Sequence, residues 1–156
     1  MPQAPNPITK KDPVSQVLKF EQRKADLHRE RGSLHIMVVE DDPITQAFLQ
    51  KLFSEKYDVT VCGNPYDAVN EYMRVMPDLV FLDIELGDKR VNGLDVLYTL
   101  MVIDPGANII ILSGHATPQN IATATRSGAV AFVAKPFKPD HLLRIAQDCE
   151  QAKKSG

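Results

Sequence analysis

The chain has no tryptophan, only two cysteines among its 156 residues, and a formal net charge of just −2. Cys62 and Cys149 lack the close spacing of a zinc knuckle or a redox pair, and two thiols are too few for a disulfide-dense secreted scaffold. A reducing, cytoplasmic compartment is expected. With 18 Lys and Arg against 20 Asp and Glu, the chain has no bulk field for coating nucleic acid or an anionic membrane. No apolar run approaches the roughly 20 residues needed to span a bilayer, and the polar start from Met1 to Pro7 lacks the apolar core of a signal peptide. Neither a dinucleotide-binding glycine fingerprint nor a P-loop motif occurs, which argues against a nucleotide site of either kind.

What remains is an ordinary globular composition, 44% hydrophobic and 24% charged, in which one domain is the default. Charge divides it near Leu34. Residues 1–35 hold seven Lys and Arg against four Asp and Glu, while the rest hold eleven against sixteen. Pro2, Pro5 and Pro7 make a short extended tail. Asp12 and Pro13 then form an N-cap and first-turn pair ahead of a proline-free stretch ending near Gly32, so residues 1–34 read as a basic tail and one helix. Val14, Val17, Leu18, Phe20 and Leu27 form only a ragged apolar stripe on that helix, interrupted by Lys24 and Arg31, which suits docking or tethering more than a coiled coil.

From His35 the pattern becomes regular. Five short apolar or β-branched runs, around Val38, Val61, Phe81, Ile110 and Phe132, alternate with helical patterns. Asp42-Pro43, Asn64-Pro65, Thr117-Pro118 and Lys138-Pro139 open four of the helices, and Gly93 precedes the fifth. The runs at Val38, Phe81 and Ile110 do not alternate, as expected of parallel strands covered on both faces. The sequence therefore predicts a doubly wound α/β domain over residues 35–153, with five βα units and a site at the carboxyl ends of its strands, followed by a tail at 154–156.

Polar residues collect at four of those ends: Glu40, Asp41 and Asp42 after the first strand, Asp83 after the third, Ser113 after the fourth and Lys135 after the fifth. Carboxylates gathered this closely repel one another and need a counter-cation, and hard oxygen donors suit Mg²⁺, with Mn²⁺ the alternative. Lys135 would add one positive charge and Ser113 a hydroxyl donor, a set suited to a phosphoryl group on a carboxylate.

These residues carry a resemblance. Val38-Val39-Glu40-Asp41-Asp42, Leu82-Asp83, Leu112-Ser113-Gly114-His115 and Val133-Ala134-Lys135-Pro136-Phe137 resemble, in order and spacing, the receiver domain of two-component response regulators. The resemblance covers about residues 35–153. It implies a flavodoxin-like (βα)5 sheet in the order 2-1-3-4-5, with the N-terminal helix as an extension. It further implies that a histidine kinase or histidine phosphotransfer protein passes a phosphoryl group to Asp83. Asp41 and Asp83 would ligate Mg²⁺ directly, Glu40 through a water, and Glu85 through its backbone carbonyl; Asp42 would cap a helix. Ser113 and Phe132 would be the switch pair, with Phe in place of the common Tyr, and a cis Lys135-Pro136 bond would aim Lys135. The face read by a downstream partner would be the receiver's fourth helix, fifth strand and fifth helix, about Gln119 to Cys149. Self-modification and slow self-hydrolysis are expected, without turnover of an external substrate, and a homodimer is compatible with it.

Two features depart from the family pattern. The segment from Ile84 to Asn92 is longer than in most receivers, and Glu85 and His115 occupy the variable positions that flank the phosphate and tune its lifetime. The competing enzyme reading is a phosphatase of the haloacid dehalogenase type, whose Asp-x-Asp motif Leu82-Asp83-Ile84-Glu85 approximates. There Glu replaces the second Asp, the motif lies on the third strand instead of the first, and the acids after strand one have no role. A phosphorylation-independent interaction module of receiver shape is a third reading. His28, His35 and His141 have no ligand-spaced neighbours and read as surface groups, and the two cysteines read as small buried hydrophobes.

Overall fold

The structure is a computed structural model that describes residues 13–86 and 90–155. The tail prolines, the N-cap expected at Asp12, and Gly87, Asp88 and Lys89 of the long segment lie outside the described residues. The chain divides into two compact units, residues 1–31 and 32–156. In the first, α1 (Pro13–Glu30) exposes Val14, Val17 and Leu18. It ends with His28 and Arg29 in its last turn, where positive charge complements the helix dipole.

In the second unit five strands alternate with five helices: β1 (His35–Val39), α2 (Pro43–Ser54), β2 (Asp58–Cys62), α3 (Pro65–Val75), β3 (Leu79–Asp83), α4 (Gly93–Ile103), β4 (Ile109–Ser113), α5 (Pro118–Arg126), β5 (Ala131–Ala134) and α6 (Pro139–Ser155). All four ladders are parallel and the strand order is β2-β1-β3-β4-β5. This is the order expected. The fifth strand starts at Ala131, one residue later than its apolar run: its ladder with β4 begins at the Ile110–Ala131 pair, and Val130 before it is 63% exposed. α6 runs through Ser155, into residues expected to form a tail.

Local chemistry sets the helix starts. Asp42, Asn64 and Thr117 each accept the backbone N–H three residues on, and a proline follows each in the first turn. The interior strands β1, β3 and β4 are buried almost throughout, so successive residues serve opposite layers. Ile36, Val38, Leu79, Phe81, Ile110 and Leu112 face a core that takes Leu49 and Phe53 from α2 and Leu142 and Ala146 from α6. There the rings of Phe53 and Phe81 stack with centroids 4.8 Å apart. Met37, Val39, Val80, Leu82, Ile109 and Ile111 alternate to the other face. No helix among the described residues is long and apolar enough to cross a membrane.

The strand order reverses between β1 and β3. β2 lies on one side of β1 and everything after β3 lies on the other, so the loops leaving β1 and β3 diverge and open a crevice at their carboxyl ends.

Candidate functional site

Three acids stand in that crevice. Glu40 follows β1 and Asp83 ends β3, and both are almost fully buried, at 1% and 2% exposure; Asp41 beside them is exposed. One carboxylate oxygen from each lies within 4.8 Å of the other two, the one such cluster of potential metal ligands among the described residues. Lys135, just past β5, reaches back across the sheet end. Its Nζ lies 3.1 Å from Asp83 Oδ2 and 3.4 Å from Glu40 Oε2. The Lys135–Pro136 peptide bond is cis.

One ammonium does not balance these acids. Burial, then hydrogen bonding with Glu40 and Glu85 and the charge of Glu40, push the Asp83 carboxyl up to about 8. Burial alone would lower Lys135, but its contacts with Asp83 and Glu40 outweigh that and hold it above the usual lysine value. A hard dication among the three carboxylates would relieve the surplus, and the donor set, all oxygen and partly solvent-facing, fits Mg²⁺.

A second group of contacts lies on the β4 side. The backbone N–H of Glu85 donates to Asp83 Oδ1 at 2.9 Å. Its carboxylate meets Ser113, which ends β4 and is fully buried. The Ser113 hydroxyl donates to Glu85 Oε1, the Gly114 N–H to Oε2 at 3.3 Å, and His115 Nδ1 lies 3.0 Å from Oε1. Burial opposes ionisation of Glu85, but the hydrogen bonds from Ser113, Asp83, His115 and Gly114 prevail and hold its carboxyl down at about 2. Ser113 Oγ accepts the His115 N–H at 2.9 Å, and Asn120 of α5 donates to the His115 carbonyl at 2.8 Å, so this loop is tied to the helix after it.

The structure thus brings Glu40, Asp41, Asp83 and Lys135 together, with Ser113, Glu85 and His115 beside them. Asp42 is the cap of α2, its Oδ2 accepting from the Thr45 N–H at 3.0 Å and hydroxyl at 2.6 Å. Phe132 is half-buried on the edge strand, opposite Ile111. Sequence reasoning paired Glu85 with His115 but missed its bonds to Ser113 and Gly114, which span 28 and 29 residues and leave no local signal.

It also missed how the long segment closes. Gly93 N–H donates to the Ile84 carbonyl at 3.0 Å, and a Cβ on Gly93 would meet the Asp83 carbonyl oxygen at 2.2 Å. The end of the loop is therefore pressed on the backbone of Asp83, an approach that only glycine permits. Asn92 caps the helix that follows, reciprocally with Asp95.

Known proteins resemble this chain in sequence and fold. Residues 36–147 match the family model described as the response regulator receiver domain. The chemotaxis protein CheY of Thermotoga maritima is 30% identical over 110 residues, 69% of this chain and 90% of that protein. The DNA-binding response regulator MtrA of Mycolicibacterium smegmatis is 35% identical over 109 residues, 69% of this chain but 46% of that longer protein. Among solved structures, the receiver domain of NtrX from Brucella abortus superposes with a TM-score of 0.69 at 30% identity, covering 74% of this chain and 98% of that one. A CheY-like receiver from Methanospirillum hungatei reaches 0.73 at 24% identity, covering 80% and 100%, a likeness of fold. The chain belongs to the receiver domain family of two-component response regulators.

Proposed function

We propose that Asp83 accepts a phosphoryl group from a histidine kinase or histidine phosphotransfer protein. The carrying observation is the convergence of three carboxylates and one lysine at the crevice, with a buried hydroxyl beside them. In the step, a bond forms between an Asp83 carboxylate oxygen and phosphorus. The bond from phosphorus to the donor imidazole nitrogen breaks, and its electron pair stays on the imidazole. Such transfers depend on positioning and on charge stabilisation of the equatorial oxygens more than on covalent chemistry by the protein. Asp41 and Asp83 would hold Mg²⁺ directly, with Glu40 acting through a water and the Glu85 carbonyl as a further ligand. The cation would supply the charge neutralisation that lets an anion approach the acids. Lys135 already contacts Asp83 Oδ2 and is placed to offset charge on a phosphoryl oxygen.

Ser113 would turn its hydroxyl to the new phosphoryl group, and Phe132 would repack. A local change in charge then becomes a change in the α5–β5–α6 face for a downstream protein to read. Hydrolysis returns the Asp83 carboxylate and releases inorganic phosphate, at a rate that Glu85 and His115 adjust from beside the site. The dehalogenase-type reading gains nothing from the geometry, since the acids after β1 converge on the Asp83 of β3.

The test is to incubate the chain with Mg²⁺ and acetyl phosphate and weigh it intact, with Asp83→Asn as the control. One phosphoryl adduct is expected, absent in the variant and in chelator. An adduct that persists in Asp83→Asn would overturn the assignment, as would repeated turnover of small phosphate esters.

A further inference from the structure

The phosphoryl oxygens of a modified Asp83 would need donors on the β4 side of the acceptor, where the Ser113 hydroxyl and the Gly114 N–H point. Both are already engaged. Glu85 Oε1 takes the hydroxyl and Oε2 takes the N–H, while His115 Nδ1 lies 3.0 Å from Oε1. The backbone N–H of the same residue donates to Asp83 Oδ1 at 2.9 Å. A carboxylate with its two oxygens spread over these donors, on the residue whose own N–H bonds Asp83, stands where a phosphoryl group would stand. Lys135 is not drawn into this contact and stays on Asp83 and Glu40.

We propose that Glu85 is a resident anion in the phosphoryl position, so that phosphorylation of this chain must evict the Glu85 carboxylate from Ser113 and Gly114. This inference rests on Asp83 being the phosphoacceptor. Two anions cannot share one hydroxyl and one N–H, and placed side by side they repel. The Glu85 side chain is 33% exposed and therefore has a path to solvent. In the unmodified chain the carboxylate holds the Ser113 hydroxyl and the loop behind it, which Asn120 ties to α5. Part of the inward pull that a phosphate would exert is thus already present. The cost is slower and weaker acceptance, because each incoming anion competes with a tethered one at high effective concentration.

Beryllofluoride copies a phosphoryl group without the covalent step, so its affinity reports the eviction directly. With Mg²⁺ present, it is titrated into ¹⁵N-labelled wild type, Glu85→Ala, Glu85→Gln and Ser113→Ala, and followed at the Gly114 amide. Alanine keeps the backbone carbonyl of residue 85 for the metal. Releasing donors from a charged competitor should tighten binding about tenfold in Glu85→Ala, with Glu85→Gln between it and wild type. The gain should shrink when Ser113→Ala is combined with Glu85→Ala, since the contested hydroxyl is then gone. Before any beryllofluoride is added, the Gly114 amide proton should shift upfield in Glu85→Ala, having lost its carboxylate acceptor. Equal or weaker binding in Glu85→Ala, with wild type binding normally, overturns the role of Glu85 alone. No binding by either protein, with Asp83→Asn indistinguishable from them, overturns the phosphoacceptor reading and this inference with it.

Discussion

Two aspartates bracket the same central strand, and each meets a lysine. Asp78 precedes β3 and lies 3.2 Å from Lys153 of α6; Asp83 ends β3 and lies 3.1 Å from Lys135. Both aspartate side chains are buried, at 5% and 3% exposure. At the amino end, the Asp78 carboxylate also accepts the His35 N–H at 2.8 Å and its carbonyl accepts from Asn108, so the pair sews β1, the loop before β4 and the end of α6 together. At the carboxyl end the lysine faces Glu40 as well as Asp83, with Asp41 close by and Glu85 hydrogen-bonded to Asp83. An ion pair with satisfied partners is a staple. The same pair with surplus acid is a site waiting for positive charge, and the surplus distinguishes the two ends more than the lysine or the burial does.

The comparison breaks most visibly at the staple. Asp78→Ala leaves Lys153 and the His35 N–H without their carboxylate, and removing one partner of a buried pair typically costs about 3–5 kcal/mol. The urea midpoint should fall accordingly at unchanged slope. A loss under about 1 kcal/mol would put Asp78 among the weak surface pairs and remove the contrast.

Magnesium should sharpen it. A ligand that binds only the folded chain adds about 2.7 kcal/mol at one hundred times its Kd. Wild type should gain that stability with Mg²⁺ and lose it in chelator. Asp83→Asn should lose most of the gain, whereas Asp78→Ala, destabilised throughout, should keep it. If Asp78→Ala also lost the response to Mg²⁺, the two ends of β3 would not be independent.

The two ends were also unequally legible. Asp83, Asp41, Ser113 and Lys135 could be found because each terminates an apolar run, and apolar runs mark interior parallel strands without any knowledge of contacts. The sheet order came through the same motifs. The staple has no such marker: Asp78 finds His35 from 43 residues away and Lys153 from 75, and His35, read as a surface group, is half-buried with Nε2 at 2.8 Å from Thr60 Oγ1. The buried bond from Tyr72 to Asp104, 2.5 Å long, joins the ends of α3 and α4 and is equally invisible to periodicity. Side chains that face the same loop cluster can be placed by strand ends alone, but those that cross the sheet need its tertiary register.

The smallest effect tests whether the long loop belongs with the site or with the scaffold. Asn92 Oδ1 accepts from the N–H groups of Leu94 and Asp95, and Asp95 Oδ2 accepts the Asn92 N–H at 2.9 Å. Losing such a cap costs about 1 kcal/mol, so Asn92→Ala should lower stability by that amount. Its neighbour Gly93 bonds the Ile84 carbonyl and presses on the backbone of Asp83, and those contacts involve no atom of the Asn92 side chain. Labelling of Asn92→Ala by acetyl phosphate should therefore stay within about twofold of wild type, a difference of about 0.4 kcal/mol. A larger fall in labelling at the same small loss of stability would mean that the cap sets the position of Asp83, and that the loop from Ile84 to Asn92 is part of the charged end of the sheet instead of a covering for it.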